Sequence, residues 1–213
     1  MKFGEEIGII NDSEIERNKH TTLYVAYIGS LGQSISVSIE SFQIRFRSGA
    51  SCYLSIKFPY SDTVINSITA LPESSIVSLY VRRYYNDELL SSEELIQVDF
   101  DSVSYIRTGD NETITVAGYR VMSFGQDPDD SWDDTQPFED YLIKYPSDNV
   151  INVSGMQSKA LQESGKLKYT LNDVSMWLRP NDIAYFDNGD AIKVGYITMS
   201  VSADIKSMEV EQA

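Results

Sequence analysis

Apolar residues recur at every second position through much of this chain. Leu23, Val25 and Tyr27 alternate with other residues until Gly29 and Gly32 intervene, the period-two signature of a strand. Ile35, Val37 and Ile39 then occupy odd positions, whereas Phe42, Ile44 and Phe46 occupy even ones. A slip of one residue near Ser41 turns the apolar set to the other face, so a β-bulge or a bend is expected there. "RSGAS" reads as a hairpin turn, with Leu54, Ile56 and Phe58 returning on one face. In "SDTVINSITALPE" the period changes: Ile65 and Ile68 lie three apart, Ser61 or Asp62 can cap, and Pro72 stops the run. A short helix or a covered loop is expected.

The alternation resumes with Val77, Leu79 and Val81, and again with Ile96, Val98 and Phe100, across a polar connection. "RTGDNET" is a turn, and Ile114 and Val116 begin a strand that ends near Tyr119. Further on, "GMQSKALQESG" is too short and glycine-bounded for a good helix. Ile183 and Tyr185 precede a "DNGD" turn, whose Asn188-Gly189 pair suits a type I′ hairpin. Ile192, Val194 and Tyr196 follow, then Ile197, Met199 and Val201, and "KSMEVEQ" supplies a short edge strand. Strands punctuated this regularly predict an all-β fold with minor α, a barrel or sandwich with at most one or two short helices.

Composition changes this picture in one place. "GQDPDDSWDDTQPFED", residues 125–140, holds seven acidic residues, two prolines and a tryptophan, which predicts a solvated loop or linker. It divides the chain into an expected N-terminal β domain, 1–124, and a C-terminal β domain or second barrel, 141–213. The chain has 213 residues, enough for one large or two small domains. The net charge of −15 weighs against a protein that binds duplex nucleic acid through phosphate contacts. No apolar run approaches the ~20 residues of a membrane span, and the first twenty residues hold no apolar core of a secretory signal. Cys52 is the single cysteine, so no internal disulfide is possible, which fits a reducing compartment.

Candidate chemistry is sparse. His20 is the one histidine, and one His with one Cys cannot build a zinc site. There is no Gly-x-Ser-x-Gly elbow and no phosphate-binding glycine loop. Asp127, Asp129, Ser131 and Asp133 have the spacing of a calcium loop's first ligands, but Trp132 stands where such loops need glycine. Paired carboxylates could sit at glycosidase separation on a β scaffold, yet nothing marks which two. Tyr84 and Tyr85 beside Arg82 and Arg83 resemble a stacking-and-phosphate patch; in a strand, alternate members face opposite sides. No cofactor and no catalytic residue is expected.

The run 71–121 carries Pro72, Val77-Leu79-Val81, Asn86-Asp87, Val98-Asp99 and Thr113 to Tyr119. It resembles the first barrel of phage tail-tip and baseplate hub proteins. The closing "LRPNDIAYFDNGDAIKVGYITMSVS" is similar to the late barrel strands of tail proteins, where an R-P-G-D turn introduces a strand. Here Asn181 replaces the glycine, and asparagine also takes positive φ. The resemblance spans about two thirds of the chain.

It implies tube-like β-barrel domains, two of them, and a virion structural protein of the tail tip, hub or tube-adaptor region, made in the host cytoplasm. Such a protein forms a ring, a trimer or hexamer, docks onto other tail proteins, and lets DNA pass through an acidic channel without specific binding. No membrane and no catalysis are implied. Candidate interface residues are Tyr80, Tyr84, Leu89, Leu90 and Trp132. The alternatives are a monomeric carbohydrate-binding β-sandwich with Tyr84, Tyr85, Trp132 and Trp177 as stacking platforms, and a carboxylate-based hydrolase.

Overall fold

A computed structural model describes residues 20–30, 33–47, 51–72, 74–108, 111–124, 143–145, 149–202 and 205–213. Among these the elements are β1 (His20–Ser30), β2 (Gln33–Ser38), β3 (Ser41–Arg47), β4 (Ser51–Pro59), α1 (Asp62–Thr69), β5 (Ile76–Tyr85), β6 (Glu88–Thr108) and β7 (Asn111–Phe124). They continue with β8 (Ile143–Tyr145), β9 (Val150–Val153), β10 (Met156–Leu161), β11 (Leu167–Leu171), β12 (Ile183–Phe186), β13 (Ala191–Ser202) and β14 (Lys206–Gln212). The expected all-β class with minor α is what the chain adopts.

The main hydrogen-bonded order is β10-β11-β14-β13-β3-β4-β7-β6-β5-β1-β2. Strands β2 and β3 stand six places apart in that order, yet Ile39 and Glu40 alone join them in sequence. Laid flat, six spacings would separate them by ~29 Å; three Cα steps reach at most ~11 Å. The seven strands from β3 round to β2 must therefore curl on themselves. Tyr24 of β1 meets Phe42 of β3 edge to face at 5.0 Å across the seam. Leu54, Ile56 and Phe58 of β4 and Ile114 and Val116 of β7 point into the curl, each at most 1% exposed.

The phase slip near Ser41 is thus a bend between two strands: the chain leaves the edge beside β1 and enters between β4 and β13. On β1 the buried side chains are those of Ala26 and Ile28, beside the buried Gly29, so the alternating set Leu23, Val25 and Tyr27 lies on the other face. Helix α1 forms where the period changed. Ser61 takes the N-cap position without a side-chain cap bond, and Ile68 is the residue it buries.

The later strands attach through one ladder. Tyr196–Ser202 of β13 pair antiparallel with β3, while Ala191–Lys193 at its other end pair with β12, which pairs in parallel with β9. A register shift between Val194 and Tyr196 separates the two segments. It moves the inward set from Ile192 and Val194 to Ile197, Met199 and Val201. Strand β14 is no edge: it lies between β11 and β13. "MQSKAL" is a strand, β10, entered through Gly155 (φ 76) and left through a turn containing Gly165 (φ 78). The strand begun at Ile114 runs past Tyr119 to Phe124.

Two turns differ from the expected chemistry. At "DNGD" Gly189 alone has positive φ, 88. Its N–H donates to the Phe186 carbonyl at 2.9 Å, and the Phe186 N–H to the Asp190 carbonyl at 2.9 Å. That is a three-residue hairpin loop with a bulged glycine rather than type I′. The two successive positive φ values of type I′ occur instead at Asn86 (49) and Asp87 (65). At R-P-N-D, Asn181 has φ 73, as its replacement of glycine requires. Arg179 in the same turn is buried, lies over the Phe46 ring at 4.6 Å, and donates to the Met176 and Leu178 carbonyls at 2.6 and 3.0 Å. The acidic segment 125–140, with Trp132 and the calcium-like run, lies outside the described residues.

Candidate assembly surface

The β5–β6 hairpin gathers most of the candidate interface residues. In β5 the alternation turns Val77, Leu79 and Val81 inward, so Tyr80, Arg82 and Tyr84 take the opposite face. Asn86 and Asp87 close the hairpin in two residues, with Tyr85 opposite Glu88. Two register shifts bend it. At the first, Leu79 faces Ile96 and Tyr80 faces Glu94, so Leu95 is the extra residue, and sequence neighbours Leu95 and Ile96 are both buried. At the second, Arg83 faces Ser91 and Tyr84 faces Leu89, leaving Leu90 as the extra residue.

Toward the tip the core runs out. In β1, β5 and β6 the last buried residues are Ala26, Val81 and Leu95; beyond them none of the described residues is buried. His20–Leu23, Arg82–Tyr85 and Glu88–Ser92 form a three-stranded tongue that runs four residues of β5, ~13 Å, past the last buried residue of that strand. It exposes Leu23, Leu89 and Leu90 at 49, 53 and 59%.

Polar contacts stiffen the tongue's root. Tyr80 donates to Glu94 Oε2 at 2.7 Å, and that carboxylate contact pushes the phenol up to about 12. Tyr27 packs edge-on against Tyr80 at 5.3 Å, and Arg82 donates to the Tyr27 hydroxyl with its guanidinium 5.7 Å from that ring. Arg83 pairs with Glu93 at 2.9 Å; both are more than a third exposed, so the pair contributes at most ~1 kcal/mol. Arg82 and Arg83 thus have separate partners and build no common phosphate clamp.

Of the five candidates, Tyr84 and Leu89 are cross-strand partners near the tip, Leu90 is beside them, and Tyr80 is at the root. Trp132 lies outside the described residues. Tyr85 leans on His20, ring centroids 4.9 Å apart, and Trp177 is half-exposed between β11 and β12. Cys52 is buried, and burial pushes its thiol far up. Among the described residues no three His, Cys, Asp or Glu side chains are placed to hold a metal. Tyr119 and Tyr185, which the sequence places only as strand residues, are also exposed, as are Tyr105, Val150, Leu161 and Ile205, which no sequence pattern marks. Tyr105 illustrates why: its inward-facing partner Ile114 is buried, but Tyr105 is 64% exposed near the far end of β6.

This architecture is similar to that of a tail protein from Neisseria meningitidis (TM-score 0.52, 7% identity, 88% of this chain and 95% of that one). A 43 kDa tail protein of prophage MuSo2 from Shewanella oneidensis aligns with TM-score 0.47 and 7% identity over 89% of this chain and 97% of that one. A type VI secretion component from Escherichia coli, described as similar to T4 phage tail proteins, aligns with TM-score 0.47 and 10% identity over 81% and 72%. No protein-family model and no curated protein sequence matches the chain. The expected resemblance to tail proteins therefore holds at the level of the fold.

Proposed function

We propose that this chain is a structural component of a contractile-tail or phage-tail tip, of the hub or tube-adaptor kind, and works by assembly rather than catalysis. The observation that carries the reading is the end-to-end likeness to the Neisseria tail protein, 88% of one chain on 95% of the other. The tongue supports it: apolar residues that leave the core on a protruding hairpin suit an interface. In this reading three or six copies close into a ring around the tail axis, and neighbouring tail proteins stack on it.

The charge refines the expected acidic channel. The described residues carry 14 Lys and Arg against 16 Asp and Glu, a net of only −2. The rest of the −15 lies elsewhere in the chain, seven of its carboxylates within 125–140. Repulsion of DNA phosphates would then be the work of that segment rather than of the β body.

Antibody-gold labelling of particles released by the source cells tests the assignment. Gold at tail ends is the expected result. Tailed particles without label, with the protein remaining in the cell fraction, would overturn it.

A further inference from the structure

The one Asn-Gly pair in the chain, Asn188-Gly189, stands in the loop of the β12–β13 hairpin, and both residues are exposed. The loop needs each of them. Gly189 supplies the positive φ of the bulged position. Asn188 makes an Asx turn, its Oδ1 accepting from the Asp190 N–H at 3.0 Å. The same dipeptide is chemically labile. Glycine puts no side chain beside its own amide nitrogen, so that nitrogen can attack the asparagine side chain that precedes it.

The reaction needs water and nothing else. The Gly189 nitrogen gives up its proton and attacks Asn188 Cγ. A nitrogen–carbon bond forms and closes a cyclic imide, the Cγ–Nδ2 bond breaks, and Nδ2 takes up a proton and leaves as ammonia. Water then opens the ring at one carbonyl or the other, leaving aspartate or isoaspartate at 188.

Three hydrogen bonds oppose the first step. The attacking Gly189 N–H is held by the Phe186 carbonyl at 2.9 Å. The Asn188 amide is tied to Asp190 at both of its atoms, Nδ2 donating to Oδ2 at 2.8 Å and Oδ1 accepting from the backbone. Its Cγ cannot turn to the Gly189 nitrogen until both let go. Asp190 is itself held, because Lys159 Nζ and Tyr169 Oη donate to the same Oδ2 at 2.7 and 2.9 Å. Its carboxylate, on the residue after Gly189, also disfavours the negative charge that the attacking nitrogen must carry.

We propose that Asn188 is a site of spontaneous deamidation that the Asp190 carboxylate latches while the hairpin is folded. The product has a carboxylate where Nδ2 donated, so Asp190 loses a donor and gains a like charge beside it. Isoaspartate also lengthens the loop backbone by one carbon. The contacts that tie β10 and β11 to this hairpin therefore weaken as the molecule ages. The inference stands apart from the tail assignment and from any self-association.

The test follows the peptide that carries residue 188 by mass spectrometry during incubation in warm, mildly alkaline buffer, with enzymatic methylation of isoaspartate as a second readout. Wild type is expected to deamidate at Asn188 slowly when folded and rapidly in urea. Asp190→Ala is expected to speed the reaction under native conditions about tenfold, the factor that one charge-assisted hydrogen bond is worth. Asp190→Asn, which keeps an oxygen to accept from Nδ2, should fall between the two and serves if the alanine variant does not fold. Lys159→Met breaks another bond of the same cluster but leaves both Asn188–Asp190 contacts, so its rate should stay near that of wild type. Folded wild type reacting as fast as in urea, Asp190 variants no faster than wild type, or Lys159→Met as fast as Asp190→Ala would overturn the latch. No reaction at 188 even in urea would overturn the site.

Discussion

At the scale of single residues, Asp190 shows how a carboxylate becomes a joint. Its Oδ2 accepts from Lys159 Nζ at 2.7 Å, Asn188 Nδ2 at 2.8 Å and Tyr169 Oη at 2.9 Å. Tyr169 in turn stacks on Phe186, centroids 4.0 Å apart and 11° from parallel. The group ties β10 and β11 to the β12–β13 hairpin. The Lys159 hydrogen bond first, then Asn188 and Tyr169, hold Asp190 down to about 2 from its ordinary 3.8. Because folding lowers this value, the contribution to stability is complete above 3.8 and is lost as pH falls through about 2. Burial raises Asp99 and Asp182, which act with the opposite sign, so the comparison must be between variants. The gap in urea midpoint between wild type and Asp190→Asn should be widest at neutral pH and close as acid protonates Asp190. A gap independent of pH would show that the joint is not electrostatic. Little of this was legible beforehand: "DNGD" announces a turn, but Lys159 lies thirty-one residues away and only the folded sheet brings it in.

At the scale of elements, the strands themselves were legible because burial on one face enforces period two. Leu54, Ile56 and Phe58, or Val77, Leu79 and Val81, carry that signal without interruption. Neighbour relations were not. "KSMEVEQ" has the short, charged look of an edge strand, yet it sits inside the sheet, where Glu209 and Glu211 face solvent and reach Lys168 at 3.0 and 3.9 Å. Likewise Asn188-Gly189 met the pattern for type I′, while Asn86-Asp87 adopts the geometry. Period reports which face is buried; it does not report which strand lies alongside.

One position tests the packing between elements directly. A Cβ at Gly118 in β7 would stand 2.2 Å from the Asp99 carbonyl oxygen of β6, next to the bulge between Phe100 and Ser102. That neighbour is backbone and cannot swing aside. Gly118→Ala is expected to destabilise the chain by about 1–3 kcal/mol, read as a lower denaturation midpoint with an unchanged slope. A variant as stable as wild type would mean that β6 and β7 approach less closely than the ladder indicates.

At the scale of the whole molecule, one two-residue connection makes the sheet curl, and the curled sheet carries a protruding tongue. The resemblance legible in the sequence rested on turns and strand order, and the fold bears it out while identity to the Neisseria protein is only 7%. Such a fold persists because barrel closure constrains burial and turn geometry far more than the identity of each apolar side chain. What composition suggested about charge belongs mostly outside the described β body, which is close to neutral. The tongue stands at one end of the barrel, where core residues give way to exposed leucines.

The most direct test of assembly is the absolute molar mass of the purified chain in solution, measured by light scattering across a concentration series. One copy weighs 24.0 kDa. A closed species of three or six copies is expected at the higher concentrations. A mass that remains at one copy throughout the series would contradict assembly by self-association.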